Sequence, residues 1–216
     1  FIRNVGTQQF QQNTFTTPPF ALGLQSNGYE LKENVNSGVF QLNSTWTESF
    51  STELRASLRK YKRDQTPFGG RDISQFEVCL EPTSVNSGST NSRTSCGGSR
   101  IFFGPDVSRQ SNALDTKNLS VDFTGRYQAG AHDFKAIVGY TKVDTVNLFL
   151  QRSLGDIYFD SIADFQTRTA NRFRLGGAVP SLDPNDAASE FGGQTYTLGI
   201  QDDWRVSDSF QVTAGF

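Results

Sequence analysis

The sequence offers few side chains that could do chemistry. His132 is the only histidine in 216 residues, and it stands in the polar stretch QAGAHD. A hydrolase would need its histidine beside a nucleophile or carboxylate facing substrate; in this setting His132 reads as a polar turn residue. The acidic stretch DPNDAASE supplies Asp183, Asn185, Asp186 and Glu190, oxygen ligands of the kind that hold calcium. Their spacing is not that of a calcium-binding hand loop, and the glycine that such a loop needs for its sharp turn is missing, so they are weak candidates. PFGGRD and SCGGSR lack the Gly-Lys-Ser/Thr ending of a phosphate loop and read as turns. Cys79 and Cys96 lie in a stretch rich in Ser, Gly, Asn and Thr, a setting that suits a disulfide in an oxidising compartment better than a buried thiol. Such a bond would close a loop of about 17 residues, stabilising by roughly 3 kcal/mol in the chain-entropy account. The residues point to no enzyme and to no cofactor.

The elements that would carry these residues are strands. Tyr196, Leu198, Ile200, Trp204 and Val206 share one parity, and Thr195, Thr197, Gln201, Asp203 and Arg205 the other; after the turn SDS, Phe210, Val212, Ala214 and Phe216 face one way. Leu119, Val121, Phe123 and Tyr127 alternate in the same manner, and beyond QAGAHD come Phe134, Ala136, Val138 and Tyr140. A third copy runs from Phe40, Leu42, Ser44 and Trp46 through TES to Phe50, Leu54, Ala56 and Leu58. This period-2 pattern predicts three antiparallel hairpins, six strands in an all-β chain. Between the hairpins, residues 63–113 and 151–193 are rich in Gly, Ser, Asn, Asp and Pro and show no sustained period. SIADFQTRTANRF, with Ile162, Phe165 and Phe173, fits a short helix loosely. Residues 1–36 read mostly as loop, with TTPPF as an extended piece fixed by proline.

Composition narrows the class. Nineteen phenylalanines, twenty glycines, no methionine and a mean hydropathy of -0.47 describe a β-rich, loop-rich chain whose apolar content leans on aromatics. A net charge of -2 removes the general electrostatic case for a nucleic-acid partner. No stretch approaches the roughly 18–20 consecutive apolar residues of a spanning helix. The chain begins at Phe1 and ends in a clean alternating strand, so the expectation is a piece of something longer or a chain whose targeting segment is gone.

Short turns on one side and long loops on the other are the asymmetry of an outer-membrane barrel, with the turns in the periplasm. Each short turn is flanked by rings of the apolar parity: Trp46 and Phe50, Tyr127 and Phe134, Trp204 and Phe210. In a barrel these would form the periplasmic aromatic girdle. Ten residues from Phe50 at about 3.3 Å rise and about 40° tilt cover roughly 25 Å, the height of the apolar band. That brings Lys60 to the outer edge, with Lys117 at the same height; the pair reads either as two solvated lysines at strand ends or, functionally, as contacts to lipopolysaccharide phosphates. Asp202, on the apolar parity beside Trp204, departs from the pattern. Arg55 and Arg59 with Glu53, and Arg126 and Arg205 with Asp122 and Asp203, fall on the polar parity. They read chiefly as a wall whose charges pair across strands, with a guide for an anionic substrate or a docking surface as the alternative.

YTLGIQDDWRVSDSFQVTAGF resembles the late-middle barrel strands of TonB-dependent outer-membrane receptors, in which a Gly-Leu-Gln-Asp-x-Trp strand, a short turn and an alternating strand recur. FFGPDVSRQSNALDTKNLSVDFTGRY, the cysteine-bracketed stretch before it and NDAASEF are similar to a loop and strands of an alphaproteobacterial-like subgroup of that family. The resemblance covers most of residues 35–216. It implies a transmembrane β-barrel of twenty-two strands, the family's pattern, closed by a plug domain that carries a TonB-contacting segment. It further implies active import of a scarce nutrient across a Gram-negative outer membrane, the nutrient being open among siderophores, vitamins, saccharides and peptides. The implied partners are the plug and the remaining strands, the TonB system through that plug, and outer-membrane lipid. A passive porin-like or structural barrel shares every strand signal. A soluble cell-surface β-sandwich adhesin shares the alternation and would lack a girdle at matched height.

Overall fold

The computed structural model describes residues 1–82 and 96–216. Most of the stretch bracketed by the two cysteines, residues 83–95, lies outside the described residues. The protein is all-β, built from two sheets. The larger contains β1 (Ile2–Phe10), β3 (Tyr29–Thr45), β4 (Phe50–Pro67), β7 (Asn112–Ala129), β8 (His132–Phe149), β11 (Ser189–Ser207) and β12 (Phe210–Gly215), in the order β1-β3-β4-β7-β8-β11-β12. Every neighbouring pair is antiparallel. The sheet is open, with β1 and β12 as its edges.

The three sequence hairpins are β3–β4, β7–β8 and β11–β12, and their strands run longer than the alternation alone suggests. β4 and β7 have 18 residues each and β11 has 19, because each ladder continues past the apolar stretch into polar residues that keep the same register. Six expected strands become seven. β1 occupies residues read as loop, pairing Ile2 with Ser37 through to Phe10 with Tyr29. Its sequence, IRNVGTQQF, has no apolar face of its own, and pairing with the exposed edge of β3 satisfies its backbone groups instead.

The long connections are the larger correction. Together with β2 (Ala21–Gly23) from the amino-terminal stretch, they build a second sheet of β5 (Gln75–Cys79), β6 (Arg100–Phe103), β9 (Asp156–Phe159) and β10 (Arg172–Arg174), in the order β10-β9-β5-β6-β2. It is mixed: β2 with β6 and β5 with β9 are parallel, while β5 with β6 and β9 with β10 are antiparallel. One face is aromatic. Phe76 stacks on Phe103 at 4.9 Å between ring centroids, and Phe165 meets Phe103 and Phe159 edge-on at 5.6 and 5.3 Å. Phe165 comes from α1 (Ile162–Gln166), the short helix, which starts where the Ser161 side chain accepts from the Asp164 backbone N–H.

Buried amides tie these connections together. Asn27 is fully buried and donates to the Gln75 side chain at 3.2 Å and the Gly104 carbonyl at 3.0 Å. Gln110 donates to the carbonyls of Pro105 and Gly155 and accepts from the Leu154 N–H at 2.8 Å. Asn27 Oδ1 also accepts from Asn13, so both ends of each amide are used and these two side chains bury no unsatisfied group. Gly104, with φ of +75°, could not be replaced cheaply, since a Cβ there would stand 2.3 Å from the Ser74 carbonyl oxygen.

Candidate functional site at the loop end of the sheet

Antiparallel pairing puts all three short turns at one end of the larger sheet and the small sheet at the other. The register then stacks the face that carries the apolar parity. Phe50, Tyr127 and Phe134 form one row, followed by Ser44, Thr52, Gly125, Ala136 and Ile200, then Leu42, Leu54, Phe123, Val138 and Leu198, then Phe40, Ala56, Val121, Tyr140 and Tyr196. Nothing covers this face: Leu198 is 77% exposed and Tyr196 72%. Trp46, Trp204 and Phe210 lie with Phe50, Tyr127 and Phe134 at the short-turn end, and Trp46 donates its indole N–H to the Thr52 hydroxyl at 2.9 Å. Ten residues along β4 from Phe50, Lys60 is the direct register partner of Lys117. The row continues through Asn36 to Arg3 on one side and to Asp144 on the other. Just beyond it, Lys62 pairs with Asp115 at 3.1 Å; Asp144, within the row, pairs at 3.1 Å with Lys142, which stands one row nearer the short turns, level with Leu58 and Leu119.

His132 is not a turn residue. It opens β8, and the turn itself is Gly130 and Ala131. Its ring lies nearly parallel to those of Phe134 and Trp204, 5.5 Å from each, and its Nδ1 stands 2.8 Å from an Asp202 carboxylate oxygen. The carboxylate that breaks the apolar pattern therefore has a partner on the same face. Sequence parity could have found it, since His132 and Asp202 both fall on the apolar side of neighbouring strands.

Metal chemistry gains no support from the acidic stretch. Asp183 precedes the 3-10 turn Pro184–Ala187, and its carboxylate accepts from the Asn185 backbone and side-chain amides at 2.9 and 3.0 Å. Glu190 lies in β11 opposite Val146. Among the described residues no group of three or more His, Cys, Asp or Glu could hold a metal ion. Cys79 and Cys96 are joined in a disulfide, their Cα atoms 5.4 Å apart, with Cys79 fully buried at the end of β5.

Two arginine clusters occupy the loop end; of their members the sequence pattern singles out only Arg59, on the polar parity of β4. The first lies on the second face of the small sheet. Asp156, fully buried, takes two hydrogen bonds from Arg174 and lies 3.6 Å from both Arg152 and Arg172. Glu77, 6% exposed, pairs with Arg100 at 3.1 Å and Arg172 at 3.3 Å. The Arg172 guanidinium also covers the Tyr158 ring at 5.0 Å. Burial pushes the Tyr158 hydroxyl well above the ordinary phenol range, and its hydrogen bond to the Asp160 carboxylate adds to the shift. Two buried carboxylates here organise four guanidiniums, with β5, β6, β9 and β10 each contributing a charge.

The second cluster lies on the polar face of the larger sheet. Gln65 of β4 gathers it: its side-chain oxygen accepts from Arg109 at 2.5 Å and its backbone carbonyl from Arg71 at 2.8 Å. Arg71 also donates to the Gln110 carbonyl at 3.0 Å. The Arg109 guanidinium sits 4.5 Å over the Tyr29 ring. Arg63 stands one inward position below Gln65 on β4, and Arg59 two positions below Arg63. The expected charge pairing across the wall does not occur. Arg55 is opposite Asp122 in register, yet among the described residues none of Arg55, Arg59, Arg126 and Arg205 has a carboxylate within 4.0 Å. Asp203 hydrogen-bonds the Gln201 and Thr213 side chains instead.

No family model, no curated protein and no solved structure matches this chain. No helix among the described residues is long and apolar enough to cross a membrane, which bears only on helices and not on strands.

Proposed function

We propose that this chain is a section of the wall and external loops of a TonB-dependent outer-membrane receptor, a transporter that imports a scarce nutrient. The observation that carries the reading is the stacking of rows on the uncovered face. An aromatic row at the short-turn end and, ten residues further on, a row of Arg3, Asn36, Lys60, Lys117 and Asp144 bracket rows rich in Leu, Val, Phe and Tyr, with Lys142 one row inside the outer edge, over roughly 25 Å of membrane-normal height at about 3.3 Å per residue and about 40° tilt. A lipid-facing barrel wall needs this arrangement: rings at one interface, hydrocarbon-compatible side chains between, cations at the headgroups. Arg3, Lys60 and Lys117 then meet the phosphates of the outer leaflet, where lipopolysaccharide is the partner.

Edges β1 and β12 fit the same account. Strand edges in lipid leave backbone groups without partners, so further strands of a larger barrel, of the twenty-two-strand kind, would close them. The polar face becomes the lumen wall, against which a plug would sit, and the small sheet with its disulfide becomes an ordered external cap over that wall. The Cys79–Cys96 bond suits exposure to an oxidising exterior. A passive barrel would share the wall, whereas a built external sheet around buried ion pairs favours a receptor that recognises something outside the cell.

The test is extraction of the native protein from membranes, followed by intact mass and peptide mapping. Resistance to urea and carbonate, release by detergent, and a mass well above 23.9 kDa with peptides of a plug domain are expected. Recovery in a detergent-free soluble fraction at about that mass would overturn the reading and bring the β-sandwich adhesin forward.

A further inference from the structure

The two arginine clusters form an internal comparison. Around Glu77 and Asp156, each guanidinium has a carboxylate within 3.6 Å. Around Gln65, Arg59, Arg63, Arg71 and Arg109 have none within 4.0 Å among the described residues, and residues 83–95 contain no Asp or Glu to supply one. Carboxylates are nearby but engaged elsewhere. Glu33, across from Arg63 in register, accepts from the Tyr61 hydroxyl, and Asp106 accepts from the Asn13 side chain and the Ser108 N–H, both at 3.0 Å.

The Nε–H groups of Arg63 and Arg109 are buried with no hydrogen-bond acceptor among the described residues, as is that of Arg152 in the paired cluster, so the clusters differ in their carboxylates and in Arg63, which makes no side-chain hydrogen bond among the described residues. Buried donors without partners are uncommon and call for a reason. A guanidinium stays charged at any working pH and presents a planar fork of donors matched to carboxylate and phosphate oxygens. The terminal nitrogens are the donors a solute can meet: none on Arg63 is engaged among the described residues, and one on Arg109 donates to Gln65 while the guanidinium is held over Tyr29, which makes a prepared receptor for such oxygens.

We infer that Arg63 and Arg109, with Arg59 and Arg71 at their flanks, form an oxyanion-binding site at the loop end of the polar face, taking a small solute that carries carboxylate or phosphate groups. That this anion is the imported cargo rests on the proposed function; the binding site itself rests only on the cluster. Gln65 is a positioning residue that aims Arg109 and Arg71 without contacting the solute.

Calorimetric titration of the full-length protein in detergent with citrate and with pyrophosphate, against sucrose, tests it. Saturable binding of at least one anion is expected, weakened about tenfold or more by Arg63→Gln and by Arg109→Gln, and unchanged by Arg55→Gln lower on the same strand. Arg63→Lys should recover part of the affinity, since charge returns without the fork. Thermal melts of each variant identify any that fail to fold, and Arg63→Lys then carries the comparison. Absence of saturable binding by both anions, or equal binding by wild type, Arg63→Gln and Arg109→Gln, would overturn the inference. So would protection of Arg63 and Arg109 from phenylglyoxal in anion-free protein, because another part of the chain would then already occupy the face. Membrane extraction judges the transporter reading and calorimetry judges the site, so the two can fail separately.

Discussion

The larger sheet and the small sheet solve opposite problems with the same alternation. In the larger sheet the apolar parity is uncovered among the described residues, and its arginines have no carboxylate within 4.0 Å among them. In the small sheet the aromatics stack on one another, and the other face buries Asp156 and Glu77 among arginines. A water-exposed sheet would not gather Leu198, Tyr196, Val138 and Phe123 in register on an open face without a cost in solubility. A membrane wall would not bury ion pairs at its centre. On the proposed membrane reading, the boundary between hydrocarbon and water falls near the row of Lys60 and Lys117.

The comparison breaks most readily at Asp156. Replacing it with Asn leaves the guanidiniums of Arg152, Arg172 and Arg174 around a neutral group, and the small sheet should lose about 3–5 kcal/mol. Hydrogen exchange should show deprotection of β5, β9 and β10 with β4 and β7 unchanged; equal loss in both sheets would mean that they are one cooperative unit. Next in size is Leu198→Arg, a cation set near the middle of the apolar rows. It should cost about 2–4 kcal/mol if that face meets lipid, read as lost assembly into membranes, while Thr197→Arg on the other face assembles normally. Indifference to Leu198→Arg would argue for water on both faces.

A smaller effect is expected from His132→Ala. It strips the partner from Asp202 between Phe134 and Trp204, costing about 1 kcal/mol because the pair is partly open to solvent; the double variant with Asp202→Asn should recover most of it in a melt. The smallest effect is at Tyr158. Its hydroxyl is held neutral to higher pH than an unfolded tyrosine, whose ordinary value is 10.0. The stabilisation is therefore complete below that value and lost as pH rises through the raised one. Stability of the small sheet should fall above pH 10.0, and Tyr158→Phe should flatten that part of the profile.

The hairpins were legible because long strands with one apolar face repeat their period many times, as in Leu119, Val121 and Phe123. β1 was not, since IRNVGTQQF carries no such face and its place comes from β3. Strands as short as Ala21–Gly23 and Arg172–Arg174 give no period at all, and their mixed pairing joins segments far apart in sequence. The same distance hid the arginine site: Arg63 lies on a strand, whereas Arg71 and Arg109 reach Gln65 only after the connection folds. The pairing of His132 with Asp202 was within reach, because the shared parity was visible once both turns were placed.

The central claim is that the apolar face of the larger sheet contacts lipid. Spin labels placed singly at each position from Tyr196 to Gln201, in the full-length protein reconstituted in bilayers, test it through collision with oxygen and with a water-soluble nickel chelate. The account predicts strict alternation, with Tyr196, Leu198 and Ile200 accessible to oxygen and shielded from nickel, and Thr197, Gly199 and Gln201 shielded from the lipid phase. Nickel access at both parities would contradict it.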